Sequence, residues 1–320
     1  MVENKSEQLL ALLLPSKGRF VDLILTLSMT SLKAPKGFRA YFVVCANYNS
    51  FQLALLRAFF RGRATFIDER NLKWLGMIGA YNYAFEAAKK NGARWVALWA
   101  DDLLPESPLW LDELFSAISQ PEFNFGIFSS DEGNHKGHFG WNVFAGYPCA
   151  HFFVALIEAM PGFLLNPKIR AYVGDNEIVI NRTKKGIPID LLPIRVIHQP
   201  TANMLRSSNA ISYKNDLDAV YQIHPELAGK LDAIVLRGDT SDANCRFIAD
   251  KGQQIRFDKN TATLSISEFN DASTYAAQRV NIRIAAKIRE IWNWILMAPK
   301  WDWILTALKR VLRVLRRIFA

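Results

Sequence analysis

The sequence predicts an α/β fold: a mainly parallel sheet with helices on both faces. Three observations carry that expectation. Short apolar runs alternate with segments of helical length and periodicity through the first two hundred residues. One of the runs, over residues 95–99, reads as a buried strand that ends in two adjacent carboxylates. Several of them stop on a polar cluster, the arrangement of a sheet that binds ligands beyond the carboxyl ends of its strands.

Taken in order, strands are expected over residues 10–14, 40–45, 64–67, 95–99 and 125–128, with helices over 20–33, 51–60, 74–90 and 109–118 between them. The opening run Leu9-Leu10-Ala11-Leu12-Leu13-Leu14 is too short to cross a bilayer. Its neighbours Glu3, Glu7 and Pro15-Ser16-Lys17 do not fit a signal peptide, so it reads as the first strand. This order gathers residues 15–19, 47–49, 68–70 and the pair Asp101-Asp102 around one crevice.

Residues 121–200 are less regular and rich in Gly, Pro, His and aromatics. A short apolar helix is expected near 151–160, a helix over 177–185 and a strand over 189–197. This half is expected to carry the second substrate, so 1–200 divides into 8–120 and 121–200. Residues 201–275 read as a small capping or bracing region of mixed structure. Residues 276–320 form two amphipathic helices separated by Pro299, with Trp292, Trp294, Trp301 and Trp303 around the break.

Half of the 320 residues are hydrophobic, enough for a large core. The three cysteines, Cys45, Cys149 and Cys245, lie far apart and outside any C-x-x-C, which points to a reducing compartment and against a zinc knuckle. The net charge of +9 suggests a nucleic-acid partner until it is localised. Ten Lys/Arg against Glu290 and Asp302 place almost all of it in 276–320, leaving the body near neutral. A cationic helical face opposite an apolar, tryptophan-bearing one fits an anionic membrane surface, and no nucleic acid is expected. The other reading of this tail is a helix packed on the body or on a second subunit.

Asp101-Asp102 ends a buried-looking strand and sets two hard oxygen ligands at the mouth of the sheet, where a divalent cation and a phosphate can meet. Asp102 can equally cap the helix that follows. Gly174-Asp175-Asn176-Glu177 opens a helical run, where Asp175 is either a reactive carboxylate or an ordinary cap. His198 closes a strand-like run and is either structural or a ligand. Phe139, Trp141, Tyr147, Phe152 and Phe153 make an aromatic stretch that serves either as core or as a platform for sugar C–H faces.

These pieces together resemble family 2 nucleotide-sugar glycosyltransferases, which have the GT-A fold. The match is carried by Leu12-Leu13-Leu14-Pro15-Ser16-Lys17-Gly18-Arg19, by Gly79-Ala80-Tyr81-Asn82-Tyr83-Ala84 with Ala87-Ala88-Lys89-Lys90-Asn91-Gly92, and by Asp101-Asp102 with Pro105, over roughly residues 8–200. The resemblance implies a metal ion, Mn²⁺ or Mg²⁺, on Asp102 and His198, and a donor pocket of Pro15, Ser16, Lys17, Arg19, Asn47, Lys73, Asn82 and Asp101. It implies Asp175 as the base of an inverting enzyme, with Trp141, Tyr147 and Glu177 towards the acceptor. Ala100 stands where a first Asp is common, and Gly174 where a Glu is common. The expectation is therefore a peripheral enzyme on the cytoplasmic face of the inner or plasma membrane. It would transfer a sugar to a glycan or lipid-linked acceptor in cell-surface polysaccharide assembly, such as lipopolysaccharide or capsule. The competing readings are a retaining transferase or nucleotidyltransferase on the same scaffold, or an inactive membrane-recruited interaction protein.

Overall fold

The computed structural model describes residues 7–72, 76–130, 141–144, 147–148, 150–160, 162–171, 173–198, 206–228, 246–247 and 255–256. The amphipathic segments 276–320 and Lys73 lie outside the described residues. Among the described residues no helix is long and apolar enough to cross a membrane.

Four parallel strands form one half of the main sheet: β1 (Gln8–Lys17), β2 (Phe38–Asn47), β3 (Ala64–Asp68) and β4 (Trp95–Leu98). β1 lies between β2 and β4, and β3 continues beyond β2. The other half contains β5 (Leu103–Pro105), β6 (Phe125–Ser130), β9 (Phe153–Leu156) and β10 (Asp190–His198). β9 runs antiparallel between β4 and β6, while β10 is parallel to β6. β5 and the short β12 (Ile255–Arg256) both pair antiparallel with β10. A separate small sheet joins β7 (Trp141–Phe144), β8 (Tyr147–Pro148) and β11 (Arg246–Phe247). The α/β class expected from the sequence is thus present, with four parallel pairings in the main sheet joined by antiparallel ones through β9 and β10.

The sheet is covered on both sides, which is why its strands read as unbroken apolar runs. Leu10, Leu12 and Leu14 point into one core with α1 (Phe20–Met29), α2 (Ser50–Phe59) and α4 (Trp110–Ile118). Ala11 and Leu13 point into the other with α3 (Gly76–Lys90), α5 (Gly174–Lys184) and α6 (Arg206–Ile223). Leu217 and Val220 of α6 belong to that second core, so the described part of 201–275 packs directly on the sheet's helical cover.

Two local features set the crevice. β1 continues through Pro15, where a loop is expected, because the missing N–H is not needed there. Leu13 O accepts from Trp99 N on the β4 side, and Pro15, two residues on, faces the same side beyond the end of β4. α2 opens with a capping box in which the Asn49 side chain accepts from Gln52 N and the Gln52 side chain accepts from Asn49 N.

Residues 151–160 depart from expectation. The apolar stretch is strand β9 followed by a 3₁₀ turn at Ile157–Ala159, rather than a helix. A short apolar run has no periodicity to separate the two, and the gap between β4 and β6 selects the strand.

Candidate active site

All four ends of the first parallel strands reach the same side of the sheet, and the chain after β4 turns there through Asp101 and Asp102. Both carboxylates are buried, at 5% and 8% exposure. Asp101 is held on both carboxylate oxygens and on its backbone carbonyl. Ser16 Oγ donates to Oδ2 at 2.6 Å, Arg19 Nη1 lies 2.9 Å from Oδ1, and Thr26 Oγ1 donates to the backbone carbonyl at 2.9 Å. Arg19 Nη2 lies 2.8 Å from Asp102 Oδ2, and Arg19 Nε 3.4 Å from Asp22 Oδ2. Three carboxylates thus converge on one guanidinium.

The electrostatics follow. Burial pushes the Asp101 carboxyl up to about 6 against the Arg19 charge and the Ser16 hydrogen bond, with Asp102 and Asp22 adding to the rise. Burial alone would lower the Arg19 pKa, but Asp101, Asp102 and Asp22 outweigh it and raise it. Tyr48 OH pairs with Ser16 Oγ at 2.6 Å and is raised mainly by burial. Asp102 does not cap α4: the cap position is Leu109, with no side-chain hydrogen bond. The pair is a charge centre rather than helix punctuation.

Asp175 stands in the first turn of α5, where the cap position is Val173 and no side chain caps the helix. Its Oδ2 lies 3.4 Å from His151 Nε2. Val173 is the one non-glycine residue with positive φ, +54°, among the described residues, an unfavourable conformation for a β-branched side chain. A Cβ at Gly174 would lie 2.4 Å from Ile78 Cδ1, so a larger residue there requires the buried Ile78 side chain to move.

Tyr81 links the two carboxylate groups. Its hydroxyl donates to Trp99 O at 2.8 Å. Its pKa is raised well above the ordinary value, first by burial and then by the charges of Asp101, Asp102 and Asp175. His198 enters by register: it pairs with Leu103, the neighbour of Asp102, so its backbone lies beside the acidic turn. Trp141 and Tyr147 lie in β7 and β8, and their side chains, like that of His198, are outside the described residues.

Other expected site residues have different uses. Asn82 is a clamp rather than a donor contact: Oδ1 accepts from Leu164 N and Leu165 N at 3.0 Å, and Nδ2 donates to Leu165 O at 2.8 Å. Glu177, expected towards the acceptor, is 3% exposed and faces Asn166 and His224. Two positions along a helix are about 200° apart, so it points away from Asp175. Pro15, Ser16, Lys17 and Asn47 do end their strands at the crevice. Asn47 Nδ2 donates to Glu69 Oε1 at 3.0 Å. Glu69 is a buried carboxylate whose pKa is raised mainly by burial. Tyr48 and Glu69 fell within the loops expected at the crevice and Tyr81 within the helix motif, but neither they nor His151 received a role of their own from the sequence, because each is ordinary in type and gains its place from pairing across the fold.

The donor set suits a hard divalent cation, with two adjacent carboxylates at a strand end whose negative charge Arg19 only partly offsets. Among the described residues no three His, Cys, Asp or Glu form a cluster ready to hold a metal. The fit therefore rests on Asp102 and on His198, whose backbone the register brings beside it.

No protein-family model and no curated protein matches the sequence. Similar folds occur among solved structures. The match to residues 1–349 of S. aureus TarS has 10% identity and a TM-score of 0.40, covering 61% of this chain and 59% of that one. The chain thus spans less than two thirds of that fragment. Mannosyl-3-phosphoglycerate synthase from Rubrobacter xylanophilus matches at 19% identity and a TM-score of 0.47, over 68% of this chain and 75% of that one. Glucosyl-3-phosphoglycerate synthase from Mycobacterium tuberculosis, in complex with Mn²⁺, UDP and glucosyl-3-phosphoglycerate, matches at 11% identity and a TM-score of 0.47, over 68% and 79%.

The raised Asp101 carboxyl carries a pH signature. The folded chain keeps this proton up to about pH 6, whereas an unfolded Asp releases it near 3.9. The folded state is therefore favoured by this group below about pH 4, and that contribution is lost as pH rises through 6. In chelator-containing buffer Asp101→Asn is expected to be more stable than the parent at pH 8 by about 2–3 kcal/mol, with the gap closing by pH 4. Denaturant titrations across this range check it, and a pH-independent gap contradicts it.

Proposed function

We propose that this protein is an inverting glycosyltransferase that uses a nucleotide-sugar donor and a divalent cation. The observation that carries the reading is the buried Asp101-Asp102 pair held by Arg19 at the carboxyl end of the sheet, with the partly exposed Asp175 at the start of α5 near enough for its charge to act with theirs on the Tyr81 hydroxyl. The two carboxylate groups have different surroundings, as an acid–base division of labour requires. Asp101 and Asp102 are tied to a permanent guanidinium, while Asp175 faces an imidazole and is 20% exposed.

In this reading Pro15, Ser16, Lys17 and Asn47 line the donor pocket, and Lys17 and Arg19 bring positive charge to the diphosphate. Asp102 and His198 would hold Mn²⁺ or Mg²⁺, which when bound would supply charge neutralisation for the leaving nucleoside diphosphate. Asp101 keeps the turn in place through Ser16, Arg19 and Thr26. Asp175 takes the proton of the acceptor hydroxyl as its oxygen bonds to the anomeric carbon. The bond from that carbon to the diphosphate breaks on the opposite face, and its electron pair leaves with the phosphate. Trp141 and Tyr147 belong to the acceptor side. The acceptor is a glycan, free or lipid-linked, in cell-surface polysaccharide assembly. The basic amphipathic segments 276–320 hold the protein on an anionic bilayer, at the cytoplasmic face of the inner or plasma membrane.

Two measurements test this. With Mn²⁺ and a panel of UDP- and GDP-sugars, the parent is expected to release nucleoside diphosphate, and Asp175→Asn to lower that rate by about 10²–10⁴-fold. Parental turnover in the variant contradicts the assignment of the base. In co-sedimentation, vesicles containing anionic lipid are expected to capture the full chain and release it at high salt, whereas neutral vesicles leave it in solution. Equal capture by both kinds of vesicle contradicts the electrostatic anchor.

A further inference from the structure

Asp175 has a well-fixed backbone and a loosely held side chain. The start of α5 is determined by Val173 in its left-handed conformation, by Gly174 packed on Ile78, and by Glu177 N donating to Val173 O at 2.9 Å. The carboxylate itself caps nothing, and the rotation of an aspartate about its last bond is broad. A general base needs one oxygen aimed within about 0.5 Å of its working position. Among the described residues, the side chain paired with that carboxylate is His151, with Nε2 3.4 Å from Oδ2.

The fold brings His151 there for a reason independent of its neighbour. β9 runs antiparallel to β4, with Val154 opposite Ala97. Counting back three residues from Val154 and on three from Ala97 sets His151 at the level of Ala100, one residue before the acidic turn. The reversed strand thus delivers a side chain from the 121–200 half to the carboxyl end of the first half. His151 is 39% exposed and Asp175 20%, so the pair lies open to a ligand in the crevice.

We propose that His151 is the positioning residue for Asp175. By donating from Nε2 to Oδ2 it fixes the carboxylate and leaves Oδ1 turned to the acceptor hydroxyl. An imidazole suits this place better than a permanent cation. A guanidinium, such as the one Arg19 supplies to Asp101 and Asp102, would hold the carboxylate equally well but sap its basicity. A neutral imidazole orients the carboxylate with a smaller loss of basicity. At 3.4 Å the two groups make an ion-pair contact rather than a formed hydrogen bond, and contacts of this kind in catalytic sites without substrate often tighten when it binds. The inference rests on the proposed role of Asp175 and goes beyond it by assigning the residue that makes this Asp usable.

The test compares His151→Leu, which removes the donor, with His151→Gln, which keeps an N–H at similar reach. Diphosphate release is measured with the nucleotide sugar on which the parent is active. His151→Leu is expected to lower kcat by about 10- to 100-fold with the donor KM unchanged, and His151→Gln to recover most of that loss. A second readout does not need turnover: ¹H–¹⁵N NMR titration of the imidazoles, with His151 assigned by its absence in the variant. His151 is expected to titrate at higher pH in the parent than in Asp175→Asn, because a carboxylate favours the imidazolium. Tyr81, whose hydroxyl also feels the Asp175 charge, is raised well above its ordinary value and keeps its proton over the pH range of the titration. Parental kcat in His151→Leu, while Asp175→Asn is inactive, overturns the positioning role and leaves the proposed function standing. An imidazole titration indifferent to Asp175→Asn also overturns it. A parent inactive on every nucleotide sugar overturns the proposed function, and the positioning role with it, even where the imidazole shift shows the pair.

Discussion

The surrounding structure answers one constraint: two adjacent carboxylates buried at the end of a central strand. Removing such charges from water is costly unless partners and hydrogen bonds compensate. Each neighbouring element supplies part of that compensation. The end of β1 gives Ser16, and the loop after it gives Arg19. α1 gives Thr26 to the backbone carbonyl of Asp101, and Tyr48 after β2 steadies Ser16. The compensation is incomplete, since Asp22 shares the same guanidinium and the Asp101 carboxyl stays raised to about 6. Around this one guanidinium the carboxylates outnumber the positive charge, which suits a hard cation.

The sheet's mixed directions complete the site. A fully parallel sheet would collect only its own strand ends at this edge. Here β9 runs backwards beside β4 and brings the start of its strand, with His151, to the same edge. β5 folds back on β10, so that His198 pairs with Leu103 next to Asp102. α5 begins nearby, with a strained Val173 fixing its entry. Strain of this kind persists where surrounding structure over-determines it, here by Gly174 against Ile78. The reversals explain how residues separated by fifty to a hundred positions come to share one crevice.

Much of this was legible in the sequence, for definite reasons. Strands buried on both faces appear as continuous apolar runs, so β1, β2, β4 and β6 could be placed from composition alone, and their polar ends marked the crevice. Asp101-Asp102 and Asp175 stood out because acids at element ends are either caps or reactive groups, and the structure removes the capping alternative for both. What stayed hidden depends on pairing. The 151–160 run has no period that distinguishes strand from helix, and losing β9 meant losing the route by which His151 reaches Asp175. Asn82 and Glu177 are residue types that bind ligands and clamp loops equally well; the 164–165 backbone and His224 decide their use. Tyr81 reads in the sequence only as part of the Gly79–Ala84 helix motif; its burial, and the charges of Asp101, Asp102 and Asp175 that act on its hydroxyl, come from the fold.

The most direct test of the central claim, that the Asp101–Asp102 turn is the cation and diphosphate site, is a calorimetric titration of UDP and GDP into the purified protein with and without Mn²⁺. The account predicts binding of at least one nucleotide that requires Mn²⁺ and disappears in Asp102→Ala. Binding indifferent to both the metal and the substitution, or no binding of either nucleotide with Mn²⁺ present, would contradict it.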